Sequence, residues 1–227
     1  MKKFLLSLAA LLCMQHVTTA QEIQSETKEN FKSWQLRIRG VGVVPNESAK
    51  ISTIGGDAHI TTNFIPEIDI SYYFTKNLAV ELILGTSKHK VNTVGSDISA
   101  IGGPTNTNID LGSAWLLPPT LTVQYHFYPG NVVKPYVGAG VNYTMFYNEK
   151  PGNTVKNVSY DNTFGLATQV GMDIMVSKYF FINMDVKYIF MKTDVSVDAS
   201  NLATGLVIPA KVDINPLLLG FGVGVRI

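Results

Sequence analysis

The sequence predicts an all-β fold: an eight-stranded antiparallel up-and-down transmembrane β-barrel. Three observations predict it. Apolar residues recur with period two in short segments bounded by Gly, Pro, Asn and Asp. Aromatic residues gather near the ends of those segments. The connections between segments alternate between long and short along the whole chain.

Composition narrows the class before any pattern is read. The 227 residues are 46% hydrophobic and only 15% charged, with a formal charge of +1 and one cysteine. An average soluble domain carries about 25% charged residues, and a disordered chain carries more still. With 18 basic and 17 acidic residues there is no net field to draw in nucleic acid. A single cysteine forms neither an internal disulfide nor a thiolate zinc site.

The N-terminus reads as an address. Lys2 and Lys3 precede an apolar stretch from Phe4 to Met14, and a polar close ends in Thr18, Thr19 and Ala20. A basic start, a short apolar core and small residues at its end make a secretory signal. The apolar core is too short to span about 30 Å of hydrocarbon. Leu12 before Cys13 argues against a lipoprotein site, where a small residue is required. Cleavage is expected after Ala20, so residues 1–20 form the signal peptide and residues 21–227 the barrel. The mature chain then holds no cysteine and 16 basic against 17 acidic residues.

Eight segments follow in order: 34–44, 63–74, 78–87, 119–128, 134–147, 164–176, 179–191 and 211–227. In the third, Leu78, Val80, Leu82 and Leu84 share one face, with Glu81 and Gly85 on the other. In the fourth, Leu121, Val123, Tyr125 and Phe127 oppose Thr120, Thr122, Gln124 and His126. In the seventh, Phe180, Ile182, Met184, Val186, Tyr188 and Phe190 oppose Asn183, Asp185 and Lys187. The last sets Leu217, Leu219, Phe221, Val223 and Val225 against Gly220, Gly222, Gly224 and Arg226. Val212 and Ile214 break that phase, which predicts a bulge or a strand end near Asn215 and Pro216.

A soluble sandwich alternates too, so the remaining features decide. A segment of about 10 residues tilted by about 45° rises roughly 23 Å, close to the apolar band of a membrane barrel. Trp34, Tyr72, Tyr73, Phe74, Tyr125, Phe127, Tyr128, Tyr179, Phe180 and Phe181 sit at segment ends, where amphipathic rings suit a water–lipid interface. The connections 45–62, 88–118, 148–163 and 192–210 are long, whereas 75–77, 129–133 and 177–178 are short. Up-and-down order collects the long ones on the outer side and the turns on the periplasmic side. The location expected is the outer membrane of a Gram-negative bacterium.

Particular residues then carry a resemblance. The runs Leu117-Pro118-Pro119-Thr120-Leu121 and Pro135-Tyr136-Val137-Gly138-Ala139-Gly140-Val141-Asn142-Tyr143-Thr144 resemble the two most distinctive motifs of the OmpW family. Asn77 to Leu82, His89-Lys90, and Gln169 to Asp173 support the match, in order along the mature chain. The resemblance implies an eight-stranded outer-membrane barrel that passes small hydrophobic molecules inward through a narrow apolar channel opening sideways into the membrane. The chain departs from the usual barrel pattern by ending in Arg226-Ile227 instead of an aromatic residue.

With the apolar faces on lipid, Arg37, Arg39, Glu67, Asp69, Glu81, Asp173, Asp185, Lys187 and Arg226 enter the lumen. Eight strands leave room only for side chains, so these charges must pair. Two readings stay open: a polar track for a solute, or an internal salt-bridge plug. Gly138 and Gly140, and Gly220, Gly222 and Gly224, make space for large lumen residues or a close strand approach. Gly138-x-Gly140 is no dinucleotide fingerprint, because no third glycine follows and the segment continues as strand. Trp115, Leu116 and Leu117 end a long connection and read as an apolar mouth, or as a connection folded back onto the lumen or belt.

His59, His89 and His126 survive cleavage without metal-ligand spacing, so neither a metal nor a cofactor is expected. Ser87 and His89 share a strand face, but no third residue can be named to orient the histidine, so no catalytic residue is assigned. The function expected is passive uptake of small hydrophobic molecules by a non-enzymatic barrel. The alternatives are an adhesive surface barrel whose long loops bind a partner, and a lipid-modifying barrel enzyme. The partners expected are outer-membrane lipid, the assembly machinery and a hydrophobic solute, with no nucleic acid and a monomeric barrel.

Overall fold

The computed structural model describes residues 33–227 except residue 202, so the expected signal peptide lies outside the described residues. The strands are, in order, β1 (Trp34–Val44), β2 (Ser48–Ile51), β3 (Asp57–Ile60), β4 (Asn63–Tyr73), β5 (Leu78–Gly85), β6 (Ser87–Ser96) and β7 (Thr107–Leu117). They continue with β8 (Thr120–His126), β9 (Val133–Lys150), β10 (Asn157–Tyr160), β11 (Thr163–Met175), β12 (Phe180–Asp198), β13 (Val207–Asp213) and β14 (Leu217–Arg226).

Eight strands close the barrel in the order β1-β4-β5-β8-β9-β11-β12-β14, with β14 pairing back to β1 and every pair antiparallel. Closure leaves no edge unpaired, which hydrocarbon requires. Leu82, Val123, Val186 and Phe221 face outward and stay exposed, because lipid is their solvent. At the periplasmic end Trp34 meets Tyr72 edge-on at 4.8 Å between centroids, and Tyr72 meets Phe74 at 5.1 Å. Tyr73 and Phe181 do not join this belt: strand alternation turns them inward, where they are buried. A second belt of Phe64, Tyr143, Phe164, Tyr188 and Phe190 marks the opposite interface, with the tilted rings of Tyr143 and Phe164 set 4.6 Å apart.

The long connections are not loops. They run on as strands above the belt: β6 and β7 form a hairpin that joins β9, β3 pairs with β6, β12 carries β10 and β13, and β13 in turn pairs with β2. Here the polarity of the two faces inverts. Along β12 the outward residues change from Tyr188 and Phe190 to Lys192 and Asp194, while the inward ones change from Asp185 and Lys187 to Ile189 and Met191. Water replaces lipid outside, so the ordinary soluble rule returns and apolar side chains turn in. The apolar core, including Val91, Ile109, Leu111, Val158, Val195, Val197, Ile208 and Val212, therefore sits in this outer extension.

The same inversion explains residues 212–218. Val212, Ile214, Leu218, Gly222 and Gly224 are all buried, so the in–out alternation never slips and only the polarity changes. The strand end expected there is present: β13 stops at Asp213, β14 starts at Leu217, and Asn215 takes φ 39° between them.

Candidate functional site

The lumen of the membrane-spanning half is an ionic core. Arg37 and Arg39 lie on β1 directly opposite Asp69 and Glu67 on β4. Arg37 Nε donates to Asp69 Oδ1 at 2.5 Å, its Nη2 pairs with Glu81, and Nη1 is 3.7 Å from Asp173. Arg39 Nη2 reaches Glu67 at 2.8 Å and Asp69 at 3.1 Å, and its Nη1 is 3.6 Å from Asp185. Lys187 Nζ is 3.5 Å from Glu67, and Arg226 Nη2 is 3.7 Å from Asp173. All nine charged residues named from the sequence thus point into one lumen. Lys134, overlooked in the alternating pattern because it precedes Pro135, joins them as the cross-strand partner of Asp173.

Neutral amides complete the packing. Glu81 Oε2 accepts hydrogen bonds from Gln124 at 2.6 Å, Gln169 at 2.8 Å and Thr122 at 3.1 Å. Glycine makes the space. On β14 the cross-strand partners of Arg37 and Arg39 are Gly224 and Gly222, and Gln169 faces Gly138 on β9. A Cβ on Gly138 would crowd Gln169 Cγ at 2.9 Å, and one on Gly224 would crowd Arg37 Cγ at 2.7 Å. At Gly140 and Gly222 the obstacle is the neighbouring backbone itself.

Below the charges, Tyr73, His126 and Tyr136 pack as tilted rings with 4.9 Å between successive centroids. Tyr73 Oη donates to Gln35 Oε1 at 3.0 Å, and Arg226 Nη2 donates back to Tyr73 Oη at 3.2 Å. Side chains fill this lumen from wall to wall, as eight strands dictate.

Above the charges, the outer extension encloses a cavity of about 200 Å³. Its walls are apolar, with Val91, Ile109, Leu111, Val195, Ile208 and Leu218 among them, and Glu67 and Lys187 lie at its polar floor. Leu116 is in the wall, whereas Trp115 lies outside, its ring 6.2 Å from that of Tyr147. Leu117 is not among the cavity-lining residues. The expected mouth trio is therefore split: residues 107–117 are a strand, and successive side chains on a strand point to opposite faces.

One stretch of wall beside the cavity is weakly laced. Pairing of β5 with β8 stops at Ile83 and Thr120, and pairing of β6 with β7 resumes at Ser87 and Leu116. Between them stand Pro118 and Pro119, which have no N–H to offer. Among the described residues, Thr86 Oγ1 crosses this seam, donating to the Leu116 carbonyl at 3.1 Å and lying 2.6 Å from Tyr147 Oη. Gly85, Ser87, Leu116, Pro118 and Thr120 line the cavity at the same place.

Ser87 and His89 are both buried and both face the cavity. His89 Nδ1 is 2.6 Å from the Thr61 carbonyl oxygen, and burial among apolar walls holds the imidazole below its ordinary range. The cavity escaped the sequence reading because its lining is contributed by stretches read as loops. The signal that reveals it is the switch of apolar residues from even to odd positions after Phe190.

Comparison with known proteins agrees with this architecture. The chain is 44% identical over 194 residues to an uncharacterized outer-membrane protein, y4mB, of Sinorhizobium fredii, covering 85% of this chain and 79% of that protein. It is 34% identical over 182 residues to outer membrane protein W of Vibrio cholerae, covering 77% and 79%. Its fold is similar to the crystal structure of the outer membrane protein OprG from Pseudomonas aeruginosa, with a TM-score of 0.74 at 24% identity, covering 86% of this chain and 96% of that one. Residues 32–227 match the OmpW family. The chain belongs to the OmpW family of outer-membrane β-barrels.

Proposed function

We propose that the protein takes up small hydrophobic molecules passively, holding them in the outer cavity and releasing them sideways through the wall into the membrane. The observation that carries this reading is the stacking of an apolar cavity of about 200 Å³ on an ion-paired, side-chain-filled lumen. An apolar cavity of about 150 Å³ already holds a benzene ring, so the volume suits one small ring or a short alkyl chain. The charges below offer such a molecule no favourable path, because it would have to displace paired ions without replacing their partners. The seam at Pro118 and Pro119 opens instead onto lipid, the phase an apolar solute prefers.

This is a reading of transport without chemistry. His89 is oriented by a backbone carbonyl and not by a carboxylate, so it lacks the group that would stabilise an imidazolium beside a nucleophile. The test is uptake of a small aromatic hydrocarbon by cells carrying or lacking the barrel. Ala114→Phe, which puts a ring into the cavity wall, abolishes the gain while the folded barrel accumulates normally. Uptake unchanged by that variant, or a steady ionic conductance in planar bilayers, refutes the reading.

A further inference from the structure

We propose that the cavity selects small apolar molecules that carry a hydroxyl group, and that His89 accepts the hydroxyl hydrogen bond through Nε2. The inference rests on the uptake reading above and adds the chemistry of the cargo. A carbonyl oxygen can only accept, so the short contact between His89 Nδ1 and Thr61 O places the ring proton on Nδ1. In the neutral ring Nε2 is then a lone-pair acceptor. Burial lowers the imidazole's proton affinity, and the Thr61 hydrogen bond and then the Glu47 charge oppose it without reversing the direction. Among the described residues, the His89 side chain makes no other hydrogen bond.

Of the remaining polar side chains of the cavity, Tyr160 Oη is buried without a hydrogen-bond partner, and several others are committed elsewhere. Thr120 Oγ1 donates to the Pro118 carbonyl at 3.0 Å, and Thr193 Oγ1 donates to the Asp161 carbonyl at 2.6 Å. Thr93 Oγ1 accepts from Ser96 at 2.9 Å, and Thr144 Oγ1 donates to Asn142 at 2.8 Å. At the floor Glu67 is held by Arg39 at 2.8 Å and by Lys187 at 3.5 Å. A bare acceptor in an apolar wall is costly unless something donates to it. The side chain two residues down the same face, Ser87, stands roughly 6–7 Å away along the strand and offers a further hydroxyl. A site built around such an acceptor discriminates against the analogue that lacks the donor.

Phenol and toluene are the probes, since they differ by a hydroxyl in place of a methyl on the same ring. Affinities are measured by titration calorimetry on the refolded full chain in micelles, with folding checked by the heat-induced gel shift. His89→Leu is expected to lower the phenol-to-toluene affinity ratio by about tenfold, leaving toluene within about twofold. His89→Gln, which keeps an acceptor, is expected to restore much of the ratio and serves if the leucine variant does not fold. Comparing ratios between variants cancels the partition of each probe into detergent. Toluene binding with a ratio unmoved by either substitution overturns the hydroxyl inference and leaves the uptake reading standing. Failure of both probes to bind any variant overturns both.

Discussion

Replacing Arg37 by methionine removes one charge from the centre of the lumen and little of its volume. The guanidinium is fully buried and serves Asp69, Glu81 and Asp173, with a hydrogen bond of 3.2 Å to Ser71 besides. At an effective dielectric of about 20, a pair of unit charges 4 Å apart is worth about 4 kcal/mol. Much of that is offset by the cost of burying the arginine. The loss measured on removing one partner is larger than the net worth of the pair, because the carboxylates left behind keep only Arg39 and Arg226 to balance them. Arg37→Met is therefore expected to cost ~3–5 kcal/mol. Glu81→Gln removes the matching negative charge and keeps an acceptor for the amides of Gln124 and Gln169. The double variant restores the charge count, so it should be less destabilised than the sum of the singles by ~2 kcal/mol, within the range of contacting pairs. The assay is urea unfolding in phospholipid vesicles followed by fluorescence of Trp34 and Trp115. An Arg37→Met barrel within ~1 kcal/mol of the parent would refute the reasoning. Strict additivity in the cycle would refute it equally.

Leu82→Arg puts a charge on the lipid face of β5 and should cost ~2–4 kcal/mol in the same unfolding assay, whereas Lys90→Ala, on the watered face of β6, should stay within ~0.5 kcal/mol. Gly222→Val drives a side chain against the Ile38 backbone and Arg39; overpacking of this kind costs ~1–3 kcal/mol, visible as a shift in the urea midpoint. Phenol binding should be flat from about pH 7 to about pH 9, below the ionisation of the phenol itself near 10, and fall on acidification below about 6.5, as His89 takes up a proton against its burial. The sign follows because the protonated ring presents a donor where the ligand needs an acceptor. Glu47 acts on the ring, and Glu67, Asp97 and Lys187 also line the cavity; a His89→Gln titration isolates the imidazole by remaining flat.

Much of the fold was legible because a barrel in lipid obeys a rule with period two. The first segment coincides with β1, and the breaks at 75–77, 129–133 and 177–178 are turns. The charged lumen residues were legible for the same reason, since a charge inside an apolar alternation has only the lumen to enter. The small-against-large complement of Gly222 and Gly224 with Arg39 and Arg37 could be suspected from the residue types, but naming the pairs needs the register of β14 on β1. Period gave Tyr73 and Phe181 their inward phase, against the belt to which aromatic type assigned them. It missed the outer strands, because the polar outward residues of segments such as 192–198 imitate a loop once lipid is no longer the solvent.

The sequence by itself determined the environment and the barrel: alternation, belts and connection lengths are local consequences of having lipid on one face. The tertiary structure decided what the barrel encloses. Val91, Ile109, Val195 and Ile208 come from distant stretches of the chain, and they become one cavity only when β6, β7, β12 and β13 are set around a common axis. His89 becomes an acceptor only because Thr61, far from it in sequence, claims its other nitrogen. Such contacts depend on register and closure, which period-two patterning leaves free.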